Sequence, residues 1–87
     1  MPAMPRKVSE RQVQQASLAV KRMLAKALRE WIEANELTPI EAAERLRMGR
    51  ARVSHIQNGQ LARISVNALM EYVWRTGAEI KVTFRNG

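Results

Sequence analysis

Cysteine and aspartate are absent from the chain, and its single histidine is His55. Without cysteine there can be no disulfide and no thiolate metal site, a composition that fits a reducing cytoplasm. One isolated histidine completes neither a Ser/His/Asp triad nor a Cys/His dyad, and it has no partner at metal-ligand spacing. We therefore predict no catalytic site, no cofactor and no metal site.

Long apolar runs and glycine-rich stretches are absent as well. No run approaches 18 residues and the N-terminus lacks an apolar signal region, so no membrane association is predicted and the expected location is the cytoplasm, at the nucleoid. The four glycines, at positions 49, 59, 77 and 87, are isolated and form no phosphate-binding loop. Eighty-seven residues make one small domain, which oligomerisation would help to stabilise.

Acidic residues are scarce relative to basic ones. Eight glutamates face fifteen lysines and arginines, which gives a net charge of +7, and the pI is near 11.1. This balance favours a polyanionic partner, although a basic surface can also serve solubility alone.

Residues 38–58 predict two short helices joined by a tight turn. Thr38 to Glu41 form a capping box, with Pro39 at the first helical position. Residues 47–49 interrupt the apolar pattern, and a second helix follows with Val53 and Ile56 as its inward pair. Asn58 and the glycine after it end that helix.

The outward face of the second helix carries arginine, serine, histidine and small residues. Between Glu44 and Glu71 there are five arginines and no acidic residue. A short helix that hides two aliphatic side chains and presents these groups suits the DNA major groove. Ala43 faces this helix across the turn, where a larger side chain would force the two helices apart.

Residues 41–59, EAAERLRMGRARVSHIQNG, resemble the helix-turn-helix of Xre/Cro-type regulators, in particular small HigA-like antitoxins that accompany RelE-type toxins. The likeness continues through Ser65, Leu69 and residues 80–82 and so covers about residues 18–85. Two positions depart from the family pattern: Arg47 replaces the usual turn glycine, which costs some strain if the turn needs a positive φ, and Gly49 replaces the usual Ser/Thr cap. The residues that match the motif are Ala42, Ala43, Leu46, Met48, Val53, Ser54, Ile56, Asn58 and Gly59.

The resemblance implies a homodimer that represses its own operon by binding a palindromic DNA operator, with a RelE-type toxin as a further partner. Alternatives are a stand-alone or phage-borne repressor, and a protein-interaction module whose DNA binding is vestigial. The residues predicted to contact base edges or phosphates are Arg50, Ala51, Arg52, Ser54, His55, Arg47, Asn58, Arg63 and Thr38.

The N-terminal part predicts a flexible basic arm over residues 1–8 and a domain over 9–87 that begins with a long helix. The arm could tether the protein to DNA or be a solvated tail. Ser9 and Gln12 form a capping signature, and apolar residues recur at helical spacing to about Asn35. The basic face of this helix, which includes Lys21 and Arg29, suits solvent, DNA phosphates or a membrane surface. Residues 9–17 exceed what the domain needs and could contact a partner.

The C-terminal part predicts a fourth helix, from Val66 to about Thr76, followed by a strand. Val66, Leu69 and Val73 are expected to form the buried stripe of this helix. Alternating residues over 78–85 place Ile80, Val82 and Phe84 on one side. A lone strand needs a partner, which the same strand of a second copy would supply across a dimer; the alternative is a tail ordered against its own helices. The predicted fold is mainly α, with four or five helices and one C-terminal strand.

Overall fold

The computed structural model describes residues 5–85. This range contains four α-helices. They are α1 (Glu10–Ala34), α2 (Pro39–Leu46), α3 (Arg50–Gln57) and α4 (Val66–Arg75). The mainly helical fold agrees with the sequence prediction, and the helix boundaries fall within one or two residues of the predicted ones.

Side-chain caps start three of the helices. The Ser9 hydroxyl accepts a bond from the Gln12 amide at 3.2 Å, and the Gln12 side chain accepts one from the Ser9 amide at 2.8 Å. Thr38 and Glu41 form the same reciprocal pair at the start of α2. The Ser65 hydroxyl accepts from the Ala68 amide at 3.0 Å and starts α4. Each cap satisfies an amide that has no partner within its helix.

The core consists of two adjoining clusters of buried side chains. The larger one packs α1 against α4 and the end of α3 around Leu28, Ile56 and Leu69. The smaller one joins the end of α1 to the two motif helices and contains Ile32, Ala42, Ala43 and Val53, with Trp31 and Met48 bordering both clusters. The outer helices α1 and α4 therefore hold α2 and α3 in place.

The fourth helix buries a slightly different stripe from the one predicted. Leu69 and Val73 are buried as expected, but Val66 is only partly buried and Tyr72 takes its place in the core. Helical periodicity predicted which side of α4 faces inward, and the neighbouring helices decide how far each residue on that side is covered.

The N-terminal half of α1 extends beyond the core. Its buried residues begin at Leu24, while Val13 and Met23 are exposed. Between Glu10 and Met23 every residue of this helix is exposed or half-buried, and none belongs to the core. Residues 5–8 precede it without regular structure, and residues 1–4 of the predicted arm lie outside the described range. No helix over residues 5–85 is long and apolar enough to cross a membrane.

The predicted strand over residues 78–85 is not formed within the described chain. The segment runs without helix, turn or bend, and it has no second strand with which to form a ladder. Ile80 packs against the larger cluster, but Val82 is 64% exposed and Phe84 is 89% exposed. The expected half-buried face is therefore covered only at its first residue.

Candidate nucleic-acid interface

The turn between α2 and α3 is held in a left-handed conformation by a residue other than glycine. Arg47 has φ 53° and ψ 51°, and its amide donates to the carbonyls of Ala43 and Glu44. The Met48 amide also donates to the Ala43 carbonyl, at 3.0 Å. The sequence prediction that a turn glycine is replaced here at some cost in strain therefore matches the observed geometry.

Arg75 of α4 donates hydrogen bonds to the backbone of this turn. Its Nη1 donates to the Leu46 carbonyl at 2.7 Å and, more weakly, to the Arg47 carbonyl at 3.4 Å. Its Nη2 pairs with Glu71 at 2.9 Å, and its guanidinium lies 5.7 Å from the centre of the Tyr72 ring. A cation at the C-terminal end of a helix satisfies free carbonyls and complements the helix dipole. Arg75 thus fixes the end of α2 and the start of the turn.

The exposed face of α3 is small, polar and basic. Arg50, Ala51 and Ser54 are exposed on this helix, while Val53 and Ile56 are buried as predicted. Gly49 precedes the helix and supplies no side-chain cap. The Arg52 amide donates to the Gly49 carbonyl at 3.0 Å, whereas the amides of Arg50 and Ala51 have no acceptor within residues 5–85. Asn58 donates to the Ser54 hydroxyl at 3.2 Å, which orients two of the predicted contact residues together.

Arg52 is placed differently from Arg50. It is half-buried, and its Nη1 donates to the Tyr72 hydroxyl at 3.1 Å. Tyr72 therefore lies between two arginines, with Arg75 over its ring and Arg52 at its hydroxyl. Arg52 is a pre-oriented group at the edge of the α3 face, whereas Arg50 is free to extend from it.

The remaining predicted contact residues differ in their exposure and in the bonds they make. Arg47 and Arg63 are exposed, and His55 is half-buried. The Thr38 amide donates to the Glu41 carboxylate at 3.0 Å. The two bonds from Thr38, backbone first, hold the pKa of Glu41 below its ordinary value. A carboxylate that stays charged at the start of α2 makes this end less attractive to phosphate.

Two basic residues of α1 serve the fold, which the sequence interpretation missed. Arg29 Nη1 donates to the Ile56 carbonyl at 3.0 Å and so caps the end of α3. Lys21 Nζ donates to the Leu61 carbonyl at 3.3 Å in the following loop. The basic face of α1 was assigned to solvent, DNA or a membrane, but these two cations bind backbone carbonyls of their own chain.

Residues 5–85 contain no group of three or more His, Cys, Asp or Glu side chains that could hold a metal ion. What the arrangement provides instead is a short helix carried on a rigid support, with donors and small residues outward. The geometry is that of a helix that can enter a DNA groove.

The chain belongs to the helix-turn-helix domain family, whose sequence model matches residues 9–85. It is also 38% identical over 60 residues to the protein named "Putative antitoxin HigA2" of Mycobacterium tuberculosis (strain ATCC 25618 / H37Rv). That match covers 69% of this chain and 59% of the relative, so this chain spans less than two thirds of the relative's length. No match to a solved structure was found.

Proposed function

We propose that this protein is a sequence-specific DNA-binding repressor that acts as the antitoxin of a toxin–antitoxin operon and represses that operon. The observation that carries the proposal is the exposed face of α3. Arg50, Ala51 and Ser54 point outward from a helix whose inner side is locked to the core. Helix-turn-helix proteins place this second helix in the major groove, where its first residues meet base edges.

The surroundings of α3 supply the non-specific part of the affinity. Arg47 precedes α3 in the chain and Arg63 follows it, both are exposed, and no acidic residue occurs between Glu44 and Glu71. Cations that neutralise phosphates release counterions, so the affinity should fall steeply with salt concentration. Arg50 is proposed to contact guanine or phosphate. Arg52 is proposed to make a contact of more fixed geometry, because Tyr72 holds its side chain. The residues proposed to contact base edges are Ala51, Ser54, His55 and Asn58.

The active form is proposed to be a homodimer on a palindromic operator. Residues 78–85 leave Val82 and Phe84 exposed and form no ladder within their own chain. Pairing of this segment between two copies would place two α3 helices on one face of the duplex, with half-sites about 34–36 Å apart. A RelE-type toxin is the proposed second partner, because the relative similar to this chain bears the name of an antitoxin.

The test is DNA binding measured by fluorescence anisotropy at fixed moderate salt. A fragment from upstream of the protein's own reading frame is compared with a scrambled fragment of equal length and composition. We expect the natural fragment to bind at least about 1,000-fold more tightly. Equal affinity for both fragments would contradict sequence-specific repression.

Arg50→Ala tests the α3 face directly. We expect a loss of about 1–3 kcal/mol of specific binding, with a relaxed preference at one base position if the contact is to guanine. The matched control is Arg11→Ala, an exposed arginine in the first turn of α1 and remote from α3. An equal effect of the two substitutions would remove α3 as the reading helix.

A further inference from the structure

An apolar groove lies between the projecting half of α1, the start of α4 and the C-terminal segment. Its volume is about 640 Å³, and its walls include Val13, Val20, Met23, Met70 and residues 80–84. Met23 is 72% exposed beside it, and Phe84 is 89% exposed at its other side. Large apolar side chains gathered on one surface mark a contact site rather than a solvated face.

The backbone along this groove has unused hydrogen-bonding capacity. Within residues 5–85, no hydrogen bond involves the backbone of residues 79–85, although the segment runs without turn or bend. An extended segment with open amides and carbonyls is a template for another strand. The groove and the open backbone belong to the same stretch, so a single occupant can cover both.

We propose that the occupant is the C-terminal segment of a second copy, paired antiparallel with its two-fold axis at Val82. In this register Glu79 faces the partner's Arg85, Ile80 faces the partner's Phe84, and Val82 faces the partner's Val82. The inference rests on the homodimer of the proposed function and deepens it by specifying the interface. The partner's Phe84, opposite Ile80, would lie at the mouth of the groove that Ile80 lines.

Charge selects this register from the few that symmetry allows. Directly opposed residues of an antiparallel pair lie on the same face, so a two-fold ribbon must be centred on a residue. Centring at Lys81 would oppose two lysines, and centring at Thr83 would oppose Lys81 to an arginine. Like charges directly opposite each other destabilise a sheet. Centring at Val82 instead forms two Glu–Arg pairs, one at each end.

One other register also joins opposite charges, but it is shorter. Centring at Ile80 would place Glu79 against the partner's Lys81 and Gly77 against the partner's Thr83. Thr76 and Gly77 close α4, where their amides already donate to the carbonyls of Val73 and Trp74. The ribbon would then be confined to residues 78–82 and would leave Phe84 uncovered. The Val82 register pairs seven residues and covers Phe84.

Cysteine cross-linking tests the register cleanly, because the native chain contains no cysteine. At the proposed centre, two Val82 Cα atoms would lie about 4.5–5.5 Å apart, within disulfide range. Two Lys81 or two Thr83 Cα atoms would be about 8 Å apart, too far for a disulfide. We therefore expect Val82→Cys to form a covalent dimer on mild oxidation, whereas Lys81→Cys and Thr83→Cys do not. Cross-linking through Ile80→Cys, Lys81→Cys or Thr83→Cys instead, or through none of the four, would overturn the proposal.

Charge reversal provides an independent measurement on the reduced protein. Glu79→Arg and Arg85→Glu should each weaken dimerisation roughly tenfold in sedimentation equilibrium, because each creates two like-charged pairs. The double variant should return to within about threefold of the native protein. Lys81→Glu is the matched control, with little expected effect because Lys81 faces a threonine. A dimer weakened by Glu79→Arg and by Lys81→Glu, but not by Arg85→Glu, would support the Ile80 register and contradict this one, because Glu79 faces Lys81 in that register.

The outcome is separable from that of the proposed function. If Val82→Cys cross-links and charge reversal behaves as expected but the native protein shows no preference for its upstream fragment, the repressor proposal fails and the interface stands. If specific binding is retained by a protein that stays monomeric at all concentrations, the interface fails and DNA recognition stands.

Discussion

Arg75→Ala is expected to destabilise the domain. The native side chain donates to the Leu46 carbonyl at 2.7 Å and reaches the Arg47 carbonyl at 3.4 Å. Its loss removes the side-chain donor to the Leu46 and Arg47 carbonyls, at the point where the left-handed turn begins. The perturbation therefore acts on the junction between the two motif helices.

The expected magnitude follows from the bonds that are lost. A hydrogen bond from a charged donor contributes about 1.5–3 kcal/mol, and a cation at a helix C-terminus adds a few tenths to about 1 kcal/mol. The pair with Glu71 contributes little, because that glutamate is mostly exposed. We expect a total loss of roughly 2 kcal/mol, which corresponds to a fall in Tm of about 8–16 °C for a domain of this size.

The assay is urea unfolding followed by the fluorescence of Trp31 and Trp74, at one fixed protein concentration. Lys26→Ala is the control, because Lys26 pairs with Glu30 at 3.9 Å and both side chains are well exposed. That control should lose no more than about 0.5 kcal/mol. If Arg75→Ala loses no more than Lys26→Ala, the guanidinium does not hold the end of α2 and the reasoning is refuted.

Three further predictions concern the motif. Ala43→Leu should overpack the smaller cluster beside Val53, costing about 1–3 kcal/mol in urea unfolding and weakening DNA binding; unchanged values for both would show that the helix contact is misplaced. Arg47→Gly should raise the free energy of unfolding by roughly 0.5–1 kcal/mol, because φ is 53° there, and a lower calorimetric Tm would contradict this. Because its bonds with Thr38 hold the folded-state pKa of Glu41 below the ordinary value of a glutamate, the charged carboxylate should stabilise the fold fully above that ordinary pKa. This stabilisation should disappear as the pH falls through the lowered pKa. Glu41→Gln should flatten this acid limb, and an NMR titration showing an ordinary pKa for Glu41 would refute the assignment.

The features predictable from the sequence are those fixed by neighbouring residues. The caps at Ser9 and Thr38 involve partners three residues away, and Gly77, with φ 91°, follows α4 as a glycine expected at a helix end. The inward pair of α3 follows from spacing along one helix. These caps, helix ends and spacings each involve residues only a few positions apart in the sequence, so they can be predicted without knowledge of tertiary contacts.

The contacts that escaped prediction join residues far apart in the sequence. Arg29 reaches a carbonyl 27 positions away, and Arg75 reaches one 29 positions away. A long flexible side chain can serve solvent, DNA or a remote carbonyl without changing the hydrophobic pattern, so periodicity cannot distinguish these roles. The C-terminal strand was the opposite case: alternation along residues 78–85 predicts it, but the segment is not a strand within the described chain, because a ladder needs a second strand that alternation cannot supply.

The two motif helices are too short to persist without the rest of the fold. Each has eight residues, whereas isolated helices need about 12–15 to be even marginally stable in water. Packing against α1 and α4 in the two core clusters therefore keeps them helical. Arg29 and Arg75 add bonds to the carbonyls at the ends of α3 and α2. We therefore expect that α2 and α3 do not unfold locally while the rest of the domain stays folded. Amide protons at the centres of these two helices should exchange with solvent only when α1 and α4 separate. The surface that faces the DNA would then be lost in the same cooperative step as the core.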